Sequence, residues 1–218
     1  MTKALTLTDE LYDYLVEHCT PPDPLVAELI ERTRAILPEQ AKMQVAPEQA
    51  GFLRLLVGVM GAREIVEVGT FTGLSALSMA SALPATGKLI TFDISTEYTE
   101  LARDFWRRAG VADRIELRIG PAVAGLRELP TEPRIDFAFI DADKPNYYRY
   151  WQELVPRMRP GGLLAVDNVL WDGRVLEAEP TDERTRAIIQ FNQDILADDR
   201  VELVMLPIAD GITLARRR

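Results

Sequence analysis

The stretch Glu64-Ile65-Val66-Glu67-Val68-Gly69-Thr70-Phe71-Thr72-Gly73-Leu74-Ser75 decides the architecture. Residues 65–68 read as a short strand, and the chain then passes through Gly69 and Gly73 straight into an apolar helical run over 74–83. A brief apolar segment closed by glycine fits a strand buried in a parallel sheet. Glycines at such a junction let the backbone approach a ligand, and the helix behind it offers N–H groups that lack intrahelical partners. In an open α/β sheet the ligand lies outside the carboxyl ends of the strands, where this turn sits. The spacing is E-x-G-x-x-x-G, and the dinucleotide pattern G-x-G-x-x-G is absent. Glu67, one residue before the strand ends, would repel a pyrophosphate and suits a ligand with a cationic centre and an amino group.

Working outward, the alternation continues. Apolar strands are expected over 89–92, 115–119, 137–140 and 163–166, with helices over 97–109, 122–129 and 147–158 between them. That rhythm predicts a parallel sheet covered on both faces. Gly110 and Gly161 are read as a helix stop and a turn. The end departs from the rhythm: a helix over 181–196 leads into a strand over 201–206, a turn at Ala209-Asp210-Gly211, and a strand over 212–215. Strands that close can pair only antiparallel, because a parallel return needs a long crossover. The fold class is therefore α/β, Rossmann-like, with a mostly parallel seven-stranded sheet, helices on both faces and a C-terminal antiparallel hairpin.

Upstream, Thr8 caps a helix with an apolar stripe of Leu11, Tyr14 and Leu15, which Pro21-Pro22 ends. Asp23 caps a second helix with Pro24 at its first position, running toward Leu37-Pro38. A third begins near Pro47 and carries Phe52, Leu53, Leu56, Val57 and Met60. We read 1–218 as one domain, with N-terminal helices over 1–60 and the Rossmann-like core over 61–218.

Bulk numbers narrow the function classes. The 218 residues are 47% hydrophobic and 27% charged, ordinary for a globular protein with one large core. A net charge of -9 argues against nucleic acid as a partner, since phosphate binding needs a basic face. The basic cluster Arg216-Arg217-Arg218 reads as a solvated terminus. Cys19 is the only cysteine, which excludes an intrachain disulfide and thiol-rich zinc sites. His18, the only histidine, reads as a surface or packed helix residue, so chemistry that needs a His base is not expected. The start MTKALTLTDE lacks the pattern of an export signal, and no run is long and uncharged enough for a membrane span. The expectation is a cytoplasmic protein without a membrane partner.

Three more strand ends carry polar chemistry. Asp93 closes the second strand about twenty residues beyond the glycine loop, where a carboxylate can accept from both hydroxyls of a ribose. The bland reading is a glycine turn with Asp93 capping the helix after Ser95. The strand over 137–140 ends in Asp141-Ala142-Asp143-Lys144, and that over 163–166 in Asp167-Asn168. If both are parallel and adjacent, Asp141, Asp167 and Asn168 converge as oxygen donors. Hard oxygen ligands without His or Cys favour Mg²⁺ or a similar divalent ion over zinc. Lys144, three residues past Asp141, stands at the same rim. A cation beside a divalent metal is disfavoured in its charged form, which suits it to accept a proton from an acceptor hydroxyl. The alternative is that these Asp and Asn residues only cap helices and shape turns.

The stretches 67–73 (EVGTFTG), 139–144 (FIDADK), 146–147 (NY) and 167–173 (DNVLWDG) resemble the metal-dependent class I O-methyltransferases. That group includes the caffeoyl-CoA O-methyltransferases and, more distantly, catechol O-methyltransferase. The similarity runs from about Met43 to the end of the chain, and the paired acidic motifs are more specific than the glycine loop. It implies S-adenosylmethionine as methyl donor, Mg²⁺ or another divalent cation, and a small aromatic acceptor with vicinal hydroxyls. It implies Asp141, Asp167 and Asn168 as metal ligands and Lys144 as base, with Asp141 serving the chemistry and bordering the donor as well. Glu67, Gly69, Thr70, Phe71 and Ser75 would contact the donor from the loop, and Asp93 its ribose. Met43 and Val45 would fold over its methionine end, Gly120 and Ala122 would line its adenine, and Asp143 would lie near its amino end. Trp171 would wall the acceptor pocket, although a core tryptophan fits the same position. A homodimer is implied by analogy alone. A metal-independent methyltransferase, an aminopropyltransferase or a non-catalytic binding protein on the same sheet would keep the loop and Asp93 while giving the acidic pair other roles.

Overall fold

The computed structural model describes residues 5–218, so the reading of the chain's first residues as no export signal lies partly outside it. At the centre of the sheet, β1 (Glu64–Val68) lies between β2 (Lys88–Asp93) and β4 (Ile135–Ile140), parallel to both. Outward of β2 is β3 (Ile115–Ile119), and outward of β4 is β5 (Met158–Asp167), again parallel. The chain then returns as β6 (Val201–Leu206) and β7 (Ile212–Arg217), and β7 inserts antiparallel between β5 and β6. The seven strands thus run β3-β2-β1-β4-β5-β7-β6, as the hairpin spacing predicts.

Alternate strand residues feed two cores. Ile65, Leu89, Phe137 and Phe139 join Leu29, Leu53, Leu77 and Trp106 on one face. Those partners come from α2 (Pro24–Ile36), α3 (Pro47–Met60), α4 (Leu74–Ala82) and α5 (Thr96–Arg108). Val66, Val68, Ala138 and Ile140 join Leu126, Trp151 and Phe191 on the other. These lie on α6 (Ala122–Arg127), α7 (Tyr147–Leu154) and α8 (Glu183–Leu196). Ends follow local chemistry: the Asp23 and Ser95 side chains cap α2 and α5, and Gly61 closes α3 in the left-handed region. No helix among the described residues is long and apolar enough to cross a membrane.

Three expectations need correction. The helix expected over 147–158 stops at Leu154; a 3-10 turn over Val155–Arg157, with Pro156 inside it, leads into β5 at Met158. Gly161 is therefore within β5, at φ +78, where the pairing with β4 slips between Ile135 and Phe137. Pro160 and two glycines make a bulge there instead of a turn. The first helix is found as expected, α1 (Asp9–Glu17) capped by Thr8 and carrying Leu11, Tyr14 and Leu15, though none of its side chains is buried; Tyr12 Oη donates to Glu48 Oε2 at 2.7 Å and ties the helix to α3. The Arg216–Arg218 tail is no loose end. Arg216 and Arg217 lie in β7, Arg218 N–H donates to the Arg200 carbonyl at 3.0 Å, and Arg217 Nη1 reaches the same carbonyl at 2.8 Å. Flanked by β5 and β6, the last strand has backbone partners on both sides. His18 stacks on the Tyr14 ring at 3.8 Å, an exposed helix-end residue as read.

Candidate active site

The loop after β1 is built against its neighbours' ends. Gly69 N–H donates to the Phe92 carbonyl at 3.0 Å, and Asp141 N–H donates to the Val68 carbonyl at 2.8 Å. Gly69 has φ +98, and a Cβ there would stand 1.8 Å from the Asp141 carbonyl oxygen. Only glycine allows the three strand ends to close up this way. One Asp93 oxygen accepts from Thr70 N–H at 3.0 Å and Phe71 N–H at 2.7 Å, while the other accepts from Ser95 N–H at 2.8 Å. Asp93 therefore shapes the loop directly, a role that neither its capping nor its ligand reading included. Gly120 N–H donates to the Asp93 carbonyl at 2.8 Å, and Ala122 opens α6 two residues later. Gly120 and Ala122 thus lie beside Asp93.

Beneath the loop, Glu67 is fully buried. Thr91 Oγ1 donates to its Oε2 at 2.5 Å, and Thr70 Oγ1 lies 2.5 Å from the Thr91 hydroxyl. Burial pushes the Glu67 carboxyl up to about 8; the Ser75 and Thr91 hydroxyls pull it back, and the charges of Asp141 and Asp93 push it further up. Although the Ser75 hydroxyl lies near, Oε1 has no hydrogen-bond partner among the described residues. An acceptor left open in the interior is a site for a ligand donor. Above the loop, Gln44 sits between half-exposed Met43 and buried Val45, and its Nε2 donates to Thr72 Oγ1 at 3.0 Å. The N-terminal segment and the glycine loop are thereby in contact.

The acidic ends of β4 and β5 meet as expected, around Lys144. This lysine is 7% exposed, and its Nζ donates to Asn168 Oδ1 at 2.6 Å, Tyr147 Oη at 2.5 Å and Asp141 Oδ1 at 3.2 Å. Tyr147 Oη donates onward to the Asp167 carbonyl at 3.2 Å. Burial, and next the Asp141 charge, pushes the Asp167 carboxyl well up from the usual range. Two carboxylates and an amide oxygen in so enclosed a place form an all-oxygen donor set short of positive charge, which fits a hard divalent cation. Among the described residues no three His, Cys, Asp or Glu side chains gather at one point, so the set depends on Asn168. Asp143 is exposed, and its carboxylate already accepts from Tyr150 Oη and Asn146 Nδ2.

Backbone strain is concentrated here. Among the described residues five other than glycine have positive φ: Phe71, Asn168, Trp171 and Asp172 in the site loops, and Ala209 in the hairpin turn. That turn clamps the loop after Asn168. Val169 N–H donates to the Gly211 carbonyl at 3.1 Å, Leu170 N–H to the Asp210 carbonyl at 3.0 Å, and Asp172 N–H to Asp210 Oδ1 at 2.6 Å. Trp171 is half-buried and packs against the core that holds Trp151 and Phe191. Its Nε1 donates to Thr185 Oγ1 at 3.1 Å, and its ring centroid lies 5.6 Å from Lys144 Nζ.

Sequence reading missed Thr91, Tyr147 as the lysine's partner, and Gln49, a buried amide on α3 whose side chain bears on Asp167. Thr91 and Gln49 shared one signal, a polar residue on an otherwise apolar buried face. Asp210 left no such signal, because it reaches the site through a turn more than forty residues later than Asn168.

A parallel sheet closed by an inserted antiparallel strand, with its ligand loop after β1, defines a class I methyltransferase. The family model described as O-methyltransferase matches residues 16–218. Tricin synthase 2 of Oryza sativa subsp. japonica is 40% identical, over 99% of this chain and 77% of its own. A caffeoyl-CoA O-methyltransferase of Eucalyptus gunnii is 37% identical, over 99% and 90%. The crystal structure of an O-methyltransferase from Bacillus cereus in complex with SAH superposes with a TM-score of 0.85 at 33% identity, covering 94% of this chain and 96% of that one. The chain belongs to the O-methyltransferase family.

Proposed function

We propose that this protein moves the methyl group of S-adenosylmethionine to one hydroxyl of a vicinal dihydroxy aromatic compound, with a divalent cation such as Mg²⁺ at Asp141, Asp167 and Asn168. One observation carries the reading: Lys144 Nζ lies among the Asp141 and Asn168 oxygens while Asp141 itself closes onto Gly69. Donor loop and proton acceptor are thus side by side. The cation, when bound, supplies positive charge that makes a phenolic hydroxyl more acidic. Glu67 Oε1 and the outer lone pairs of Asp93 accept from the donor's amino and ribose groups, and Gly69, Thr70, Phe71 and Ser75 line it. Met43 and Val45 cover its methionine end, Gly120 and Ala122 its adenine, and Asp143 stands by its amino end. Lys144 receives the acceptor's proton at Nζ, and Trp171 walls the ring. Holding oxygen, methyl and sulfur in line can remove roughly 7–11 kcal/mol of barrier. The relatives named for caffeoyl-CoA and tricin support a phenolic acceptor.

Labelled S-adenosylmethionine tested with catechols, their hydroxycinnamoyl thioesters and matched monophenols checks this. Label is expected in the vicinal diols alone; equal labelling of monophenols would sink the reading.

Glu67 gives a pH dependence whose sign can be worked out. Burial pushes its carboxyl up to about 8 in the fold from the ordinary 4.5, so the folded protein holds a proton that the unfolded chain releases. Its contribution to stability is complete below 4.5 and is lost as pH rises through 8. A ligand that donates to Oε1 favours the ionised form and expels that proton. Affinity for S-adenosylhomocysteine (SAH) should therefore rise with pH up to about 8 and then level off. Calorimetry in buffers of different ionisation enthalpy would read the proton release, and Glu67→Gln should abolish both the release and the pH dependence.

The same reading has 1–60 and 61–218 working as one cytoplasmic domain, a setting that the free, exposed Cys19 suits. It also has the chain acting as a homodimer, for which Leu55 and Val59, one turn apart on α3 and 63% and 78% exposed, offer an apolar face. Sedimentation equilibrium should give twice the chain mass, and Leu55→Glu should halve it; a wild-type monomer would refute this part.

A further inference from the structure

The glycine loop is tied down at three points. Asp93 holds Thr70 and Phe71, Trp106 Nε1 donates to the Gly73 carbonyl at 3.1 Å, and Thr72 belongs to a polar trio with buried Thr33 and half-buried Gln44. In the trio, Gln44 Nε2 donates to Thr33 Oγ1 at 2.9 Å and Thr72 Oγ1 at 3.0 Å, and Thr33 Oγ1 donates to Thr72 Oγ1 at 3.1 Å. Both threonines have no exposed surface. Each belongs to a different unit: Thr33 to α2, Thr72 to the loop, and Gln44 to the segment that joins α2 to α3. One amide group thus spends both of its protons on two buried hydroxyls that would otherwise lose those partners.

We infer that Gln44 is a positioning residue that latches the segment 40–46 onto the donor loop, so that donor affinity depends on a side chain remote from the reacting atoms. The inference rests on the proposed function, which puts the donor at this loop under Met43 and Val45. Apart from Gln44, the segment is fixed at its two ends, where Ala41 N–H donates to the Leu37 carbonyl at 2.8 Å and Ala46 N–H to Gln49 Oε1 at 3.3 Å, and by buried Val45. Gln44 alone ties it to the glycine loop by a hydrogen bond. Without the latch, the free protein's segment is less ordered, and ordering it is added to the cost of binding the donor. Lys144, Asp141 and Asn168 share no hydrogen bond with the trio, so the chemical step at saturation is untouched.

The test is calorimetric binding of SAH to wild type, Gln44→Leu, Thr33→Val and the double variant, with steady-state kinetics beside it. Gln44→Leu should raise the Kd for SAH and the KM for S-adenosylmethionine roughly tenfold, with kcat and acceptor KM within about twofold. Thr33→Val, nearly isosteric, should raise the Kd about threefold, and the double variant should be no worse than Gln44→Leu alone. A purely structural role would lower thermal stability and leave the Kd unmoved. Should Gln44→Leu fail to fold, Thr33→Val and the KM-against-kcat split decide alone. Wild type that does not bind SAH would overturn the proposed function. Wild type that binds it, with both single variants within about twofold, would overturn the latch and leave the function standing.

Discussion

Lys144→Ala is expected to cut turnover by about a hundred- to ten-thousand-fold while SAH affinity stays within about twofold, the loss typical of a removed general base. The geometry separates the two effects. Nζ lies at Asp141 Oδ1 and Asn168 Oδ1, whereas the donor loop is held by Asp93, Trp106 and Gln44. Lys144→Arg distinguishes a proton acceptor from a mere positive charge. Guanidinium keeps the charge beside Asp141 and Asn168 but stays protonated at every pH that the fold tolerates. The arginine variant should be nearly as inactive as the alanine one. Single-turnover methyl transfer with labelled donor measures the first quantity and calorimetry the second. Activity restored by arginine would assign Lys144 an electrostatic role only.

Gly69→Ala should abolish donor binding and destabilise the fold at once. At φ +98 an added Cβ meets the Asp141 carbonyl oxygen at 1.8 Å, far inside contact distance, and that oxygen belongs to backbone that cannot step aside. Relief requires β1 and β4 to part at their carboxyl ends, where Asp141 N–H donates to Val68. A cost of about 3–5 kcal/mol is expected, which for a domain of this size lowers Tm by roughly 6–20 °C. Thermal melts with and without SAH would show the lower midpoint and the loss of ligand-induced stabilisation. Gly58→Ala, in α3 with open space around it, should leave both intact.

How much of this could be read from the chain depends on distance along it. Gly69, Asp93, Asp141 and Asp167-Asn168 each end a strand, and a parallel sheet brings strand ends to one edge, so their convergence followed from alternation alone. The hairpin followed from a five-residue gap that no crossover helix could fill. What stayed hidden were side chains that arrive from elsewhere: Gln49 and Gln44 from before β1, and Asp210 from the last turn. Their positions depend on how helices lie on the sheet, which periodicity does not encode. Residues 158–162 misled because Met158 continues the apolar stripe of α7, while Pro156 and the Gly161-Gly162 bulge set the true boundary. Likewise, an amphipathic pattern at 9–17 gave a helix but no burial, because a stripe records a preference for a partner and does not supply one.

Transfer of labelled methyl from S-adenosylmethionine to catechol, measured in excess chelator and again after Mg²⁺ is restored, tests the central claim most directly. The account predicts no transfer in chelator, recovery with Mg²⁺, and SAH binding that persists in both. Full transfer in excess chelator would contradict it, and Asp141, Asp167 and Asn168 would then have to be explained as framework.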